Sequence, residues 1–194
     1  MKHATTRMLF AYWDSLRGER AAPERGEIEP GEIRHILADT FILETVADRP
    51  PEIRLAGTRL CALFGRELKG VPFAELWRNN GSRETARFVE LVTSETAGLV
   101  IGLVATSTEG ANLDLELLLL PLRHRGKTHV RLLGALSAKI VPPWIGLHPI
   151  AGVATVSLRV ISPSQKALEP SFGPGSAEAA EKRRQFIVHR GGLG

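Results

Sequence analysis

The spacing of hydrophobic residues changes sharply within the first half of the chain. Residues 52–57 alternate apolar and charged side chains, which is typical of a half-buried strand, and the run ends at a glycine. Residues 58–65 place their apolar side chains on one helical face and again end at a glycine. Another short turn follows Pro72. The pattern predicts a strand that leads directly into short helices.

Helical spacing also appears on both sides of this segment. Near the N-terminus, Thr5 or Thr6 can cap a helix that Gly18 ends. Pro30 suits the first turn of a second helix, and Ser82 can cap a third over residues 82–95. The positions expected to be buried on these last two helices are Ile33, Ile36, Leu37, Phe88, Leu91 and Val92.

A period of two marks six strand candidates, at residues 40–46, 52–56, 99–106, 112–120, 130–138 and 153–161. The short connections between several of them require antiparallel neighbours, because parallel strands need long crossovers. On the last strand, the residues expected to face inward are Ala154, Val156, Leu158 and Val160. The chain is therefore predicted to be an α+β protein with an antiparallel sheet of five or six strands.

The strand at 112–120 predicts apolar layers on both faces of this sheet. One face carries leucine at every second position, whereas the other is polar at Asp114 and Glu116 and becomes apolar at Leu118 and Leu120. An exposed leucine patch would promote association, so the N-terminal amphipathic helix is expected to cover it. That helix has more apolar surface than the patch needs, which makes it a candidate dimer contact. The dimerisation residues expected on it are Leu9, Tyr12, Trp13 and Leu16.

Composition limits the class of protein. A chain of 194 residues that is 43% hydrophobic can bury one good core. A single cysteine excludes an internal disulfide and suits a reducing compartment. The sequence has no secretory leader pattern and no apolar run near the roughly 18 residues of a membrane span. We therefore expect a soluble cytoplasmic protein, whose net charge of +4 permits contact with acidic partners.

The segment at 52–77 resembles the second strand and following short helices of PAS sensory domains, in which similar sequences read L-x-G-Y-x-x-E-L-x-G-x-x-x-x-E-L. The matching residues are Leu63, Phe64, Gly65, Glu67, Leu68, Gly70, Glu75 and Leu76. The resemblance extends from the Tyr12 and Trp13 region to about Ile161 and looks closest to single-domain PAS proteins of alphaproteobacteria. The expected organisation is an N-terminal helix and connector at 1–28, a PAS-like domain at 29–162 and a tail at 163–194. The tail is rich in proline, glycine, serine and charged residues and is expected to be weakly ordered. The sheet of PAS domains usually has five strands, so the sixth strand candidate of this chain departs from the family pattern.

The resemblance also implies a function. PAS domains are sensory or regulatory modules of signal transduction that bind a small molecule or a protein partner, commonly as homodimers through an N-terminal helix. A ligand would lie between the inner sheet face and the capping helices. The candidate ligand-binding residues there are Leu60, Phe64, Trp77, Phe88, Leu115 and Leu117. The same side chains could fill a solid core, so the sequence leaves both possibilities open.

The nature of any cofactor also stays open. Light-sensing PAS relatives that bond a flavin carry Gly-x-Asn-Cys-Arg-Phe-Leu-Gln, which this chain lacks, and Cys61 fits a buried small hydrophobic residue instead. Haem-binding relatives use a histidine on the long helix, and residues 82–95 contain none. His124 and His129 flank a hairpin tip without a third metal ligand, so we interpret them as part of a solvated turn.

Catalysis and nucleic-acid binding have weaker support. Asp114 and Glu116 lie on the same side of one strand, and we interpret them as the wet half of a sheet face rather than as paired catalytic carboxylates. The basic clusters at 123–127 and 182–184 lack interleaved aromatic residues and fit solvated loops. A non-catalytic module is therefore predicted; the alternatives are a small-molecule enzyme using the same cavity, an adaptor without ligand, or a nucleic-acid binder.

Overall fold

Six strands form one antiparallel sheet in the computed structural model, which describes residues 1–46, 49–78, 81–94, 97–124 and 127–161, without the side chains of 127–129. The strands are β1 (Thr40–Glu44), β2 (Glu52–Ala56), β3 (Gly98–Ser107), β4 (Asn112–His124), β5 (Lys127–Ala138) and β6 (Ile150–Ile161). The α-helices are α1 (Ala4–Arg17), α2 (Thr58–Phe64) and α3 (Ser82–Ser94), and short 3-10 helices lie at Arg25–Glu27, Leu37–Asp39 and Phe73–Leu76.

The strand order across the sheet is β2-β1-β5-β4-β3-β6, and every neighbouring pair is antiparallel. Short connections between β3, β4 and β5 produce two adjoining hairpins, as the sequence predicts. Gly65 ends α2 in the left-handed conformation that a glycine adopts at little steric cost. The predicted α+β fold is confirmed, and the additional strand β6 pairs with β3 at one edge.

Apolar side chains fill both sides of the sheet because successive residues on β4 point to opposite faces. On the inner side, Leu115 and Leu117 pack in a cluster with residues of α2 and α3. On the outer side, Leu118 and Leu120 pack against Leu9 and Trp13 of α1. The predicted cover of the leucine patch is therefore confirmed.

The start of α1 differs from its prediction. The helix begins at Ala4, after His3, and neither Thr5 nor Thr6 is its N-cap residue. Thr6 is buried, and its hydroxyl oxygen lies 3.0 Å from the carbonyl oxygen of His3. Its side chain therefore serves a contact inside the fold rather than the helix cap.

The segment after Pro30 is not the predicted α-helix. It forms successive turns and the 3-10 helix Leu37–Asp39, with bonds between residues three apart such as Ile36 N to Ile33 O. Ile33 and Ile36 are buried as predicted, whereas Leu37 is 40% exposed. The tighter turn directs Leu37 away from the side that Ile33 and Ile36 occupy.

The predicted burial of β6 is also wrong over most of the strand. Val156, Leu158 and Val160 are 69%, 44% and 39% exposed, and Ala154 is exposed as well. Because β6 is an edge strand and α3 packs on β3, β4 and β5, that helix does not cover it. Only the beginning of β6 is buried, at Ile150 and at Gly152 and Val153.

Candidate functional site

The six residues predicted to bind a ligand come together in one place. All are buried members of the inner cluster, and they come from α2, α3, β4 and the turn after Phe73–Leu76. The ring centroid of Trp77 lies 5.1 Å from that of Phe73 and 6.0 Å from that of Phe88. The indole nitrogen of Trp77 donates to the Thr155 hydroxyl at 3.0 Å. The arrangement provides a buried apolar environment whose aromatic rings contact one another.

A buried carboxylate that the sequence places on a wet face is instead a structural anchor. Glu116 is 5% exposed, whereas Asp114, two residues earlier on β4, faces solvent. The Glu116 oxygens accept hydrogen bonds from the backbone nitrogens of Lys2 (2.8 Å) and His3 (3.0 Å), and from the Thr6 hydroxyl. The prediction that both carboxylates are solvated is therefore wrong for Glu116.

These hydrogen bonds decide the charge of Glu116. Burial disfavours the ionised form and is the largest single influence on the carboxyl group, but the hydrogen bonds from Thr6, His3 and Lys2 together outweigh it. The pKa of Glu116 is consequently lowered. The ionised carboxylate also lies at the positive N-terminal end of α1, where a negative charge stabilises the helix. Glu116 thus ties the start of α1 to the middle of the sheet.

A second buried carboxylate joins two elements near β1. Asp39 is paired with Arg59 of α2 at 2.5 Å. Burial raises the pKa of Asp39, and the Arg59 guanidinium opposes that effect without cancelling it. The pair connects the 3-10 helix Leu37–Asp39 to α2, so its role is structural.

The remaining candidate residues are Cys61 and the two basic clusters, and the structure describes only some of them. Cys61 is half-buried rather than buried, with its sulfur 3.9 Å from a carboxylate oxygen of Glu67. Arg123 pairs with Glu24 at 3.6 Å instead of standing free in a solvated loop. The side chains of Lys127 and His129, Arg125, and the tail cations Lys182, Arg183 and Arg184 lie outside the described residues.

Two absences concern only the part of the chain that the structure describes. No three histidine, cysteine, aspartate or glutamate side chains in those ranges lie close enough together to hold a metal ion. No helix in the same ranges combines the length and the apolar character needed to cross a bilayer.

The residues predicted for dimerisation lie on α1, and all four pack within the chain. Leu9 and Trp13 are fully buried, and the Trp13 indole nitrogen donates to the Pro121 carbonyl at 2.8 Å. Tyr12 and Leu16 are half-buried, and the Tyr12 hydroxyl accepts a hydrogen bond from the Glu29 backbone nitrogen at 2.8 Å. Contact of α1 with another subunit would therefore use the opposite side of the helix.

Several solved structures are similar to this chain. The LOV protein of Rhodobacter sphaeroides is 15% identical with a TM-score of 0.40, and the match covers 57% of this chain and 68% of that chain. The light-state structure of the blue-light photoreceptor Aureochrome1 LOV is 16% identical with a TM-score of 0.42, covering 59% and 91%. A PAS domain from Colwellia psychrerythraea is 14% identical with a TM-score of 0.40, covering 57% and 97%.

Family membership rests on a different comparison. No curated protein sequence is significantly similar to this chain. A family model described as a PAS domain matches residues 1–137, which is more than half of the 194 residues. The match runs from α1 to the penultimate residue of β5 and so includes both apolar layers of the sheet. The chain therefore belongs to the PAS domain family.

Proposed function

We propose that this PAS domain is a non-catalytic sensory or regulatory module of signal transduction that binds a small molecule or a protein partner. The observation that carries this proposal concerns the buried titratable side chains of the described residues, which are His3, Asp39 and Glu116. All three are bonded to other parts of the fold, and none belongs to the six candidate ligand-binding residues. General acid–base or nucleophilic catalysis needs titratable side chains near the substrate. The buried carboxylates Glu116 and Asp39 are occupied by contacts with α1 and α2.

The proposed ligand site of this module lies between the inner sheet face and the helices α2 and α3. Phe88 is the most informative residue there, because its ring rests against Trp77 and it is almost fully buried. Replacing Phe88 with alanine removes one of the two neighbouring rings, Trp77 and Phe88, that a ligand would contact. Phe10, a half-buried residue of the outer cluster, offers a matched phenylalanine control.

Native mass spectrometry of the purified protein tests this part of the proposal, since it reports bound ligand and subunit number together. We expect a co-purifying small molecule whose occupancy falls in Phe88→Ala and is unchanged in Phe10→Ala. Truncating a buried phenylalanine in a solid core costs about 3–5 kcal/mol. A stability loss of that size with no change in bound mass would identify Phe88 as core and overturn the inner ligand site.

The proposal includes a homodimer to which α1 contributes. Leu9 and Trp13 are committed to the sheet, so the contact would involve the outward side of the helix at Met8 and Ala11, with Tyr12 and Leu16 at its margin. A two-fold contact uses the same surface on both subunits. Met8→Glu should then shift light scattering from dimer to monomer without loss of helical signal. A wild-type protein that stays monomeric at high micromolar concentration contradicts this arrangement.

The same proposal retains two expectations from the sequence. One is a cytoplasmic location, and the other is a relation to single-domain PAS proteins of alphaproteobacteria. The first concerns where the module works, and the second concerns its relatives. Immunolocalisation or fractionation of the native host tests the first, and a broader sequence comparison tests the second.

A further inference from the structure

A cavity of about 530 Å³ lies against Ile42 and Leu133 of the outer cluster, and none of the six candidate ligand-binding residues of the inner cluster lines it. Its floor includes Ile42, which pairs with Leu55 on one side and Leu133 on the other. The turns between α1 and β1 form the opposite wall through Ile28 and Ile33. Cavities of roughly 300–1,000 Å³ with mainly apolar walls are typical of small-molecule sites. The volume and lining therefore suit the apolar part of a small molecule.

A second cavity of about 270 Å³ adjoins the first, because the two share Arg25, Ile42 and Leu55 as lining residues. The other residues that line it are cationic: Arg54, Lys69 and Arg131. No acidic residue lines it. One apolar cavity thus continues into a smaller one bordered by four positive side chains.

Most of this positive charge lacks a balancing carboxylate. Glu44 accepts from Arg131 at 3.1 Å and lies 3.5 Å from Arg54. Arg25 and Lys69 have no ion-pair partner within the described ranges. The neighbouring acids of Arg25 are engaged elsewhere, since Glu24 pairs with Arg123 and Glu27 with Arg20.

Arg131 carries a buried donor beside this cavity. Its Nε is buried and has no hydrogen-bond partner among the described residues, although the terminal nitrogen of the same side chain contacts Glu44. A buried donor without a partner costs free energy, so native structures normally satisfy it. Because Nε has almost no accessible surface, an anionic oxygen in the adjoining cavity would bond it only after the Arg131 side chain turns toward that cavity, and the charge-assisted hydrogen bond would favour the turn.

We propose that the joined cavities bind an amphipathic anion with one apolar chain and one carboxylate headgroup. The chain lies in the 530 Å³ cavity against Ile42 and Leu133, and the headgroup lies in the 270 Å³ cavity between Arg25, Lys69 and Arg131. A polynucleotide would match the positive charge but would leave the apolar cavity unused. This site is separate from the inner ligand site of the proposed function, and either can fail without the other.

Isothermal calorimetry with decanoate tests the proposal, and 1-decanol serves as the uncharged probe with the same chain. We expect saturable one-to-one binding of decanoate and at least about tenfold weaker binding of decanol, since one charge-assisted hydrogen bond is worth about that factor. Arg25→Gln with Lys69→Gln should weaken decanoate binding by roughly tenfold or more and leave decanol unchanged. Arg83→Gln with Arg87→Gln, which removes two exposed cations from α3, is the matched charge control.

A second variant tests the apolar cavity without disturbing the core. Leu55 lines both cavities and is 49% exposed, so Leu55→Trp should fill the entrance and weaken both probes while circular dichroism stays unchanged. Leu147→Trp, at another exposed leucine, should leave the binding of both probes unchanged.

Three results would overturn the proposal. The first is the absence of saturable decanoate binding. The second is decanoate binding that is abolished by Phe88→Ala but not by the Arg25 and Lys69 changes. The third is displacement of decanoate by a twelve-nucleotide single strand that binds with higher affinity. The second result would place the anion in the inner cluster and leave the proposed sensory function standing.

Discussion

Glu116→Gln is the most direct test of how α1 is held on the sheet. The substitution keeps the length and shape of the side chain but removes its charge and replaces one acceptor oxygen by an amino group. That group can only donate, yet the Lys2 nitrogen, the His3 nitrogen and the Thr6 hydroxyl are donors here. In one orientation of the amide the Lys2 nitrogen loses its acceptor Oε2, and in the other the acceptor Oε1 that Lys2, His3 and Thr6 share is lost.

The size of the effect follows from the number of bonds that change. A hydrogen bond to a charged group contributes about 1.5–3 kcal/mol, and a buried donor left unsatisfied costs about 1–3 kcal/mol. Losing one or two such contacts at Glu116 should lower the free energy of unfolding by about 2–4 kcal/mol. Asp114→Asn changes the same kind of group two positions away on an exposed site and should cost less than about 0.5 kcal/mol.

Urea denaturation measures the global loss, and hydrogen exchange of residues 1–17 measures the local one. The pH dependence has a definite sign, because the pKa of Glu116 is lowered in the folded state. Its contribution is fully present above the unfolded-state pKa of about 4.3 and is lost as the pH falls through the lower folded-state pKa. The difference between wild type and Glu116→Gln should therefore be largest near neutral pH and should shrink in acid.

Two outcomes would refute this reasoning. One is a loss in Glu116→Gln no larger than that in Asp114→Asn at neutral pH. The other is a stability difference between wild type and Glu116→Gln that grows on acidification, which would require a raised folded-state pKa. Unchanged exchange of α1 amides alongside a global loss would place the damage in β4 instead of the helix contact.

Two further substitutions test the outer and inner packing of the sheet. Gly134→Ala would bring a methyl group to 2.2 Å from the Phe41 ring, so it should lower the melting temperature by the equivalent of about 1–3 kcal/mol. Gly26→Ala, which has open space around it, should leave the melting temperature unchanged. Equal melting temperatures of the two variants would contradict the close approach of Gly134 to Phe41. Trp13→Phe removes the donor to the Pro121 carbonyl and should cost about 2–4 kcal/mol in urea denaturation. Trp144→Phe, at a half-buried residue, should cost clearly less, and a reversed order would disprove the anchoring role of Trp13.

The sequence predicts most of the fold because strand and helix periods are local properties. The alternation on β4 identifies both apolar layers, and the helical stripe on α1 identifies what covers the outer one. The six inner residues come together because their burial follows the same periods. Alternation does not show which faces are covered at a sheet edge, and that is why the prediction for β6 fails beyond Val153.

The contacts between distant segments could not be predicted in this way. Glu116 meets residues more than 100 positions away, and no local pattern marks a glutamate on a leucine-rich strand as an anchor. The cations around the smaller outer cavity come from positions 25, 54, 69 and 131 and form no motif. The strand order β2-β1-β5 brings Arg54 and Arg131 near each other, and Arg25 and Lys69 join them from segments outside the strands.

The difference between covered and uncovered strands gives a final prediction. Leu158 of β6 lies directly opposite Ile101 of β3 on the same face, and the two differ in burial, at 44% and 0% exposed. Ile101→Ala should leave a cavity and cost about 2–5 kcal/mol, whereas water can occupy the space left by Leu158→Ala, which should cost about 1 kcal/mol. Urea denaturation of the two variants at the same protein concentration measures the contrast. Equal losses would mean that another surface covers β6 in solution, and a loss in Leu158→Ala that grows with protein concentration would identify that surface as a second copy of the chain.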